Sequence, residues 1–384
     1  MRVKLKDVCT FYTGTGFPKK YQGQLSGTYP FYKVGDIANN VVSGKVYLEQ
    51  CNNYISEETL ELIKGSIIPK NTIVFAKIGE ALKLNRRAIT STDCLIDNNA
   101  MGIAAKSDKL RTLFFYYFMR NIKMELLAES TTVPSVRKSR LEAYEIDIPS
   151  LDEQKIIEGK LTILSKVINL KEKQLLKLDE LVKARFVEMF GEYEASVKLS
   201  RYIKELRAGK SLAGKTKCKN KVLKTGAATF GFFDKEQYKY YPVEYVPNPL
   251  HKVEDGDVII SRMNTPELVG SCSYVFEAPD DMYYPDRLWK TIITEDTNPI
   301  FLWQLMWQQD IRKQIKENSF GTSGTMNNIS KVKLLNIKAI DVPLELQNQF
   351  ASFVQEIDKS RSRIQKSLEA SQELFDSLMQ EYFG

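Results

Sequence analysis

The apolar positions of this chain form a pattern that occurs twice. Stepping from Ile157 alternately by four and three residues gives Ile157, Leu161, Leu164, Ile168, Lys171, Leu175, Leu178, Val182, Arg185 and Met189, eight of them apolar. The same steps from Phe350 give Phe350, Val354, Ile357, Arg361, Ile364, Leu368, Ser371, Phe375, Leu378 and Tyr382, again with eight apolar. A spacing of this kind, sustained over several heptads, predicts an a/d seam on a long helix. No proline interrupts either stretch, and Gly159 is the one glycine inside the first. A helix of about 38 residues would span roughly 57 Å at about 1.5 Å per residue.

Both stretches open after the same kind of string. Ile146-Asp-Ile-Pro149 precedes Leu151-Asp-Glu-Gln154, and Ile340-Asp-Val-Pro343 precedes Leu344-Glu-Leu-Gln347. Proline followed by an acidic residue suits a helix start. Gln154 and Gln347 lie 193 residues apart, as do the closing Gly191 and Gly384. That period is far longer than the roughly 20–50 residues of a solenoid repeat. It predicts two copies of a globule-plus-helix unit related by a pseudo-two-fold, their long helices paired antiparallel as a coiled coil. The plainer alternative is a pair of ordinary amphipathic helices, each packed on its own globule.

The regions upstream of the helices repeat more loosely. Leu5–Tyr12 leads into the glycine-containing loop 14–20, and Leu199–Leu206 into the loop 209–215. Strand-like runs follow at Asn71–Lys77 and Gly256–Arg262, each after a turn. The aromatic helices expected at Leu113–Met119 and Ile300–Met306 read as core. The fold class is therefore α+β, with two α/β-type domains over 1–150 and 192–343. The helices occupy 151–191 and 344–384.

Composition fits this division, because 384 residues are comfortable for two domains. The longest purely apolar run, Leu113–Met119, is far too short to cross a bilayer. Met1 is not followed by a secretory signal pattern. Five scattered cysteines, without a C-x-x-C, read as thiols of a reducing compartment. The single His251 cannot form a histidine metal site alone.

Catalytic motifs are weak. Tyr12-Thr-Gly14-Thr-Gly16 echoes a methyl-donor loop but lacks the acidic residue that should follow. There is no G-x-x-x-x-G-K-[ST] phosphate loop. Pro149-Ser-Leu-Asp152-Glu153-Gln154-Lys155 resembles a nuclease metal string, yet it falls at a helix start, where acidic residues serve the helix dipole. The sequence argues against a stand-alone methyltransferase or nuclease.

Charge is more informative. The net charge of +7 is modest, so its clustering matters. Between Arg207 and Lys224 stand seven basic residues (Arg207, Lys210, Lys215, Lys217, Lys219, Lys221 and Lys224) and no acidic one. Gly, Ser, Thr and Asn separate them, so the segment reads as a loop suited to a phosphate backbone. The first copy carries Lys19 and Lys20 in one loop, and Lys77, Lys83, Asn85, Arg86 and Arg87 around another. Arg262 and Asn264 end the second strand-like run. Arg, Asn and Gln can make bidentate contacts to base edges. All of these are candidate DNA contacts.

These features together resemble the specificity subunit of a Type I restriction-modification system over the full length of the chain. The carrying strings are the paired helix openings, Phe31-Tyr-Lys-Val-Gly-Asp36, Gly256-Asp-Val-Ile-Ile-Ser-Arg-Met-Asn264 and Pro285-Asp-Arg-Leu-Trp289. One departure is that the loops Thr131–Val136 and Gly321–Met326 differ in glycine content. The resemblance implies two target-recognition domains held apart by the helices, with no catalysis in this chain. It implies a bipartite, asymmetric double-stranded DNA target. It also implies two modification subunits that use S-adenosylmethionine to methylate adenine at N6. Restriction subunits using ATP and Mg would join for cleavage, in the cytoplasm of a bacterium or archaeon. The remaining alternative is a coiled-coil adaptor that binds DNA without sequence preference.

Overall fold

The computed structural model describes residues 2–129, 133–321 and 326–384, so much of the two glycine-contrasting loops lies outside the described residues. The chain divides into two compact units, Met1–Gln174 with Ile364–Gly384, and Leu175–Arg363. Each unit contains part of both long helices, which run from Leu151 to Phe190 and from Leu344 to Phe383.

The first unit is built on a five-stranded sheet in the order Cys9–Thr13, Ala100–Ala105, Thr72–Ala76, Arg87–Thr90 and Tyr47–Leu48. The central strand Thr72–Ala76 is buried throughout, which its run of β-branched and aromatic residues permits. A smaller sheet pairs Tyr29–Tyr32 with Tyr54–Ile55 and, in parallel, with Leu95–Ile96. The aromatic helix Thr112–Asn121 buries Phe114 through Met119 in the core.

The second unit repeats this order. Its main sheet runs Ile203–Ala208, Leu288–Ile293, Val258–Ser261, Cys272–Tyr274. Its smaller sheet pairs Lys221–Leu223 with Tyr238–Tyr240 and, in parallel, with Met282–Tyr283. The helix Pro299–Met306 takes the place of the first aromatic helix, capped by Asn298, whose side chain accepts from the Ile300 and Phe301 amides. The basic segment is not wholly a loop, because Arg207 belongs to the strand Ile203–Ala208 and Lys221 to Lys221–Leu223.

Within each unit the helix segments pack antiparallel. In the first, Lys160 Nζ donates to the Tyr382 hydroxyl at 3.2 Å and Lys171 Nζ to Ser371 Oγ at 2.7 Å. In the second, Arg361 pairs with Asp179 and the Phe186 ring meets Phe350 edge-on. Rising numbers on one helix meet falling numbers on the other. Of the a/d positions, Leu161, Val182, Phe350, Val354 and Phe375 are buried, while Ile157, Leu164, Ile168, Leu175, Leu178, Ile357, Ile364, Leu368 and Leu378 are half-buried. No helix among the described residues is long and apolar enough to cross a membrane.

The repeated glutamine has the same task in both units. Gln154 is fully buried; its Oε1 accepts from the Arg111 amide at 2.8 Å, and its Nε2 donates to Lys109 O and Pro149 O, each at 3.0 Å. Gln347 is equally buried, accepting from the Asn298 amide at 2.9 Å and donating to Asp296 O at 3.2 Å and Val342 O at 2.8 Å. Each amide thus ties the start of a long helix to the start of an aromatic helix. It satisfies backbone groups that would otherwise lack partners.

Candidate nucleic-acid interface

In the second unit, strand ends and loops enclose a cleft of about 620 Å³. It is lined by Val222–Gly226, Ser211–Ala213, Pro285–Arg287, Gln237 and Lys239. Lys224, Lys239 and Arg287 are exposed, and none has an ion-pair or side-chain hydrogen-bond partner among the described residues. The one lining carboxylate, Asp286, accepts from Ser211 Oγ at 2.5 Å. The cleft is therefore cationic.

The loop beside it is tethered at several points. The Gly214 amide donates to Tyr240 O at 2.8 Å, and the Tyr241 hydroxyl donates to Lys210 O at 2.9 Å. Lys210, Lys215, Lys217 and Lys219 project as exposed side chains, and among the described residues Lys219 alone of the four has an ion-pair partner, Asp281 at 3.7 Å. Lys221 is half-buried, its ammonium 4.8 Å from the Tyr238 ring centroid. The local field registers on His251, which burial first, and then Lys210 and Arg207, hold below the ordinary histidine value. Arg207 is neutralised by its own strand neighbour Glu205 at 2.7 Å.

In the first unit, Lys19 and Lys20 are exposed on the turn Lys19–Tyr21, with Lys20 stacked over Tyr21. Lys83 is exposed but paired with Glu80 at 2.8 Å. Arg86 is half-buried beside a small hollow formed by Val34, Ile37 and Leu84.

Arg87 and Asn85 require a correction. Expected at the DNA surface, Arg87 is instead 1% exposed and begins the strand Arg87–Thr90. Its guanidinium donates to Asn85 O at 2.6 Å, Asn85 Oδ1 at 2.9 Å and Ile122 O at 2.8 Å. Burial pulls its pKa down to about 9. Asn85 adopts a positive φ of 55° and spends its amide on the Arg120 carbonyl and its oxygen on Arg87 and the Met124 amide. Neither side chain is free to read a base. The local string Lys83-Leu-Asn-Arg-Arg87 looks like a surface loop, and only the strand pairing turns its last arginine inward. Arg87→Ala should cost about 3 kcal/mol of stability or more, since it opens a cavity and leaves the Asn85 and Ile122 carbonyls without their partner. Its DNA preference should stay unchanged. A thermal melt beside a binding-site selection checks both, and a stable variant with altered preferred bases would restore Arg87 as a reader.

Two pairs of cations occupy matching places in the two units. Lys77 and Arg262 each leave the central strand. The Lys77 amide donates to Asn99 O at 2.9 Å, as the Arg262 amide does to Arg287 O at 3.0 Å. Val136 returns a bond to Lys77 O at 2.9 Å, as Ile329 does to Arg262 O at 3.0 Å. Both side chains are half-buried; Arg262 lies 5.9 Å from the Trp289 ring centroid, and its Nε has no partner among the described residues. Asn264, two residues on, is held by Thr229 Oγ1 at 3.4 Å and the Thr265 amide at 2.9 Å.

The second pair is Lys33 and Lys224, each an extended residue between a strand and a helical turn. Lys33 donates to Gln22 Oε1 at 2.5 Å. Lys33 and Arg287 stand in strings that carry the family resemblance, yet neither they nor Gln237 and Lys239 are among the candidate DNA contacts that charge clustering marks. A signal was available, because Tyr32-Lys33-Val-Gly35 and Leu223-Lys224-Thr-Gly226 share an apolar-Lys-x-Gly string. Among the described residues no cluster of His, Cys, Asp or Glu could hold a metal ion. The arrangement can bind a polyanion and present Arg and Gln, the side chains suited to base edges.

Residues 1–180 match the family model described as the Type I restriction modification DNA specificity domain. The chain is 22% identical to the EcoKI specificity subunit of Escherichia coli (strain K12), over 64% of this chain and 57% of that protein. The match thus spans less than two-thirds of that relative's length. It is also 22% identical to the MjaVIII specificity subunit of Methanocaldococcus jannaschii, over 95% of this chain and 89% of that protein. In fold it is similar to a Type-I restriction-modification S subunit from M. genitalium, with a TM-score of 0.63, 15% identity, and 100% and 96% of the two chains covered. A chain solved in work on complex assembly and conformational transition of the type I R-M system gives a TM-score of 0.55 at 16% identity, covering 100% and 97%. A matched specificity domain over residues 1–180, relatives of one kind, and two β-rich halves with two long packed helices agree: the chain is similar, in sequence and in fold, to the specificity subunits of Type I restriction-modification systems.

Proposed function

We propose that this chain reads a bipartite, asymmetric DNA target and directs adenine-N6 methylation by two modification subunits, with cleavage when restriction subunits join. The observation that carries this reading is the pairing of cations, Lys33 with Lys224 and Lys77 with Arg262, at equivalent places in two repeats. Equivalent cations suit a repeated feature, the phosphate backbone. The loops around them differ, which suits two different half-sites. Target-recognition domains over 1–150 and 192–343 would each read one half, with the helices 151–191 and 344–384 setting the gap.

The chain itself contributes recognition. S-adenosylmethionine belongs to the modification subunits and ATP with Mg to the restriction subunits, in the cytoplasm of a prokaryotic cell. Partner helices would pack on the first long helix. Ile156, Ile163 and Leu170, at heptad spacing, are 58%, 64% and 61% exposed. Apolar residues in a heptad row are what a further coiled-coil strand packs against.

The test is to express the chain with its modification partner and map methylated adenines across the host genome. One split motif with a constant gap and unlike halves is expected. Methylation without a motif would favour the non-specific adaptor.

A second measurement isolates the backbone term. Lys215, Lys217 and Lys219 replaced together by Ala should weaken binding to all duplexes alike. For every phosphate that the variant no longer neutralises, the slope of log K against log salt should flatten by roughly 0.9. An unchanged slope removes this loop from the interface.

A further inference from the structure

In the second unit two exposed rings flank one glycine: Phe230 is 69% exposed and Phe232 59%. Single exposed apolar residues need no explanation, but this pair sits on a backbone that is held in place. Gly231 has φ +87°, a conformation side-chain-bearing residues rarely adopt. Its carbonyl accepts from Trp303 Nε1 at 2.9 Å. The Trp307 ring lies 3.4 Å from where a Cβ at Gly231 would stand. Upstream, Ala227 and Ala228 are fully buried, and downstream Phe233 packs on the same cluster. So pinned, the loop cannot fold its rings inward, although leaving them in water is unfavourable.

The loop also has informative neighbours. Thr229, next to Phe230, accepts from Asn264 Nδ2 at 3.4 Å. Two residues before Asn264, the Arg262 amide bonds the carbonyl of Arg287, which lines the cationic cleft. Thr225 and Gly226, in the turn that leads into the loop, line the same cleft. The rings therefore stand beside a surface whose unpaired charges suit an anionic polymer rather than an apolar protein face.

We propose that Phe230 and Phe232 form a rigid aromatic wedge that stacks on bases of the duplex held by the second unit and locally opens its stack. A phenyl ring cannot read base edges by hydrogen bonding, but every base offers a π-face, and apolar side chains that enter base steps distort the helix. At the corresponding place in the first unit, after Lys33, the chain continues into the helix Val34–Val42, which carries no aromatic residue. The distortion should therefore occur in one half-site only. This inference rests on the DNA-reading function proposed above.

The experiment uses the full chain with its modification partner and a duplex carrying the mapped motif. 2-Aminopurine is placed at each position of both half-sites in turn. Apart from the methylated adenines, which leave the stack for the modification subunits, binding should raise fluorescence at one step of one half-site. In the Phe230→Ala/Phe232→Ala variant that rise should vanish, and affinity should fall by about 25-fold or more, at roughly 5- to 150-fold per ring. Phe230→Tyr/Phe232→Tyr, which keeps both rings, should retain the signal. An unaltered chain that binds no duplex preferentially overturns both this inference and the function beneath it. Preserved preference with fluorescence and affinity unchanged in the alanine variant overturns the wedge alone, as does loss of partner binding without change in the DNA signal.

Discussion

Gln347→Leu should destabilise the second unit by about 3–9 kcal/mol, a large part of the roughly 5–15 kcal/mol that a folded domain has in total. Leucine fits the space but leaves the Asn298 amide and the Asp296 and Val342 carbonyls without their partner. Buried polar groups that lose a partner cost about 1–3 kcal/mol each. All three tryptophans, Trp289, Trp303 and Trp307, lie in this unit, so tryptophan fluorescence in urea reports on it directly. Gln154→Leu should act through the first unit instead and should move the tryptophan transition less.

Gln347→Glu adds a sign. At neutral pH a carboxylate would face two carbonyl oxygens, so the folded state should raise its pKa above the unfolded value. Its stability is then greatest at low pH and is lost as pH rises through the folded pKa. A Gln347→Leu chain that unfolds within about 1 kcal/mol of the unaltered one would show that the repeated glutamine does not secure the helix start.

Gly14→Ala should be severe where Gly16→Ala is silent, although both glycines belong to one five-residue string. A Cβ at Gly14 would stand 1.7 Å from Asp97 O and 2.9 Å from Ile96 O, both backbone atoms. Relief needs a backbone movement of more than about 1 Å, and overpacking on that scale exceeds the usual ~1–3 kcal/mol. At Gly16 nothing lies within 4 Å and φ is not in the left-handed region, so alanine fits. Gly209 repeats the arrangement in the second unit, its Cβ falling 1.8 Å from Tyr284 O. There the loops on either side, Ser211–Ala213 and Pro285–Arg287, line the cationic cleft, so Gly209→Ala should weaken DNA binding as well as folding. Calorimetry of the three variants checks this. Equal melting of Gly14→Ala and Gly16→Ala would mean that the close approach relaxes freely.

The glycine string shows why a local motif misleads. From the residues alone it echoes a methyl-donor loop, whereas its first glycine serves to let a neighbouring strand end approach. That approach joins residues more than eighty positions apart, and nothing in the string announces it. Arg87 is the same lesson in charge. Its neighbours in sequence are polar, but the pairing of Val74 with Ala88 and Phe75 with Arg87 sets its register and draws it under the sheet.

The features legible beforehand were those carried by period and repetition. Heptad spacing is local to the chain and depends on helix geometry alone, so the two long helices, their starts after Pro149 and Pro343, and the two-copy plan could be read directly. Basic clustering is also local, and it marked the Lys210–Lys221 segment. Tertiary structure alone decided which cations remain free. Lys83 and Arg207 are neutralised by neighbours, Arg87 is buried, and Lys224, Lys239 and Arg287 converge on one cleft from three separate segments. Convergence of that kind depends on strand register and loop closure between distant residues. A single sequence records those only through the packing they produce.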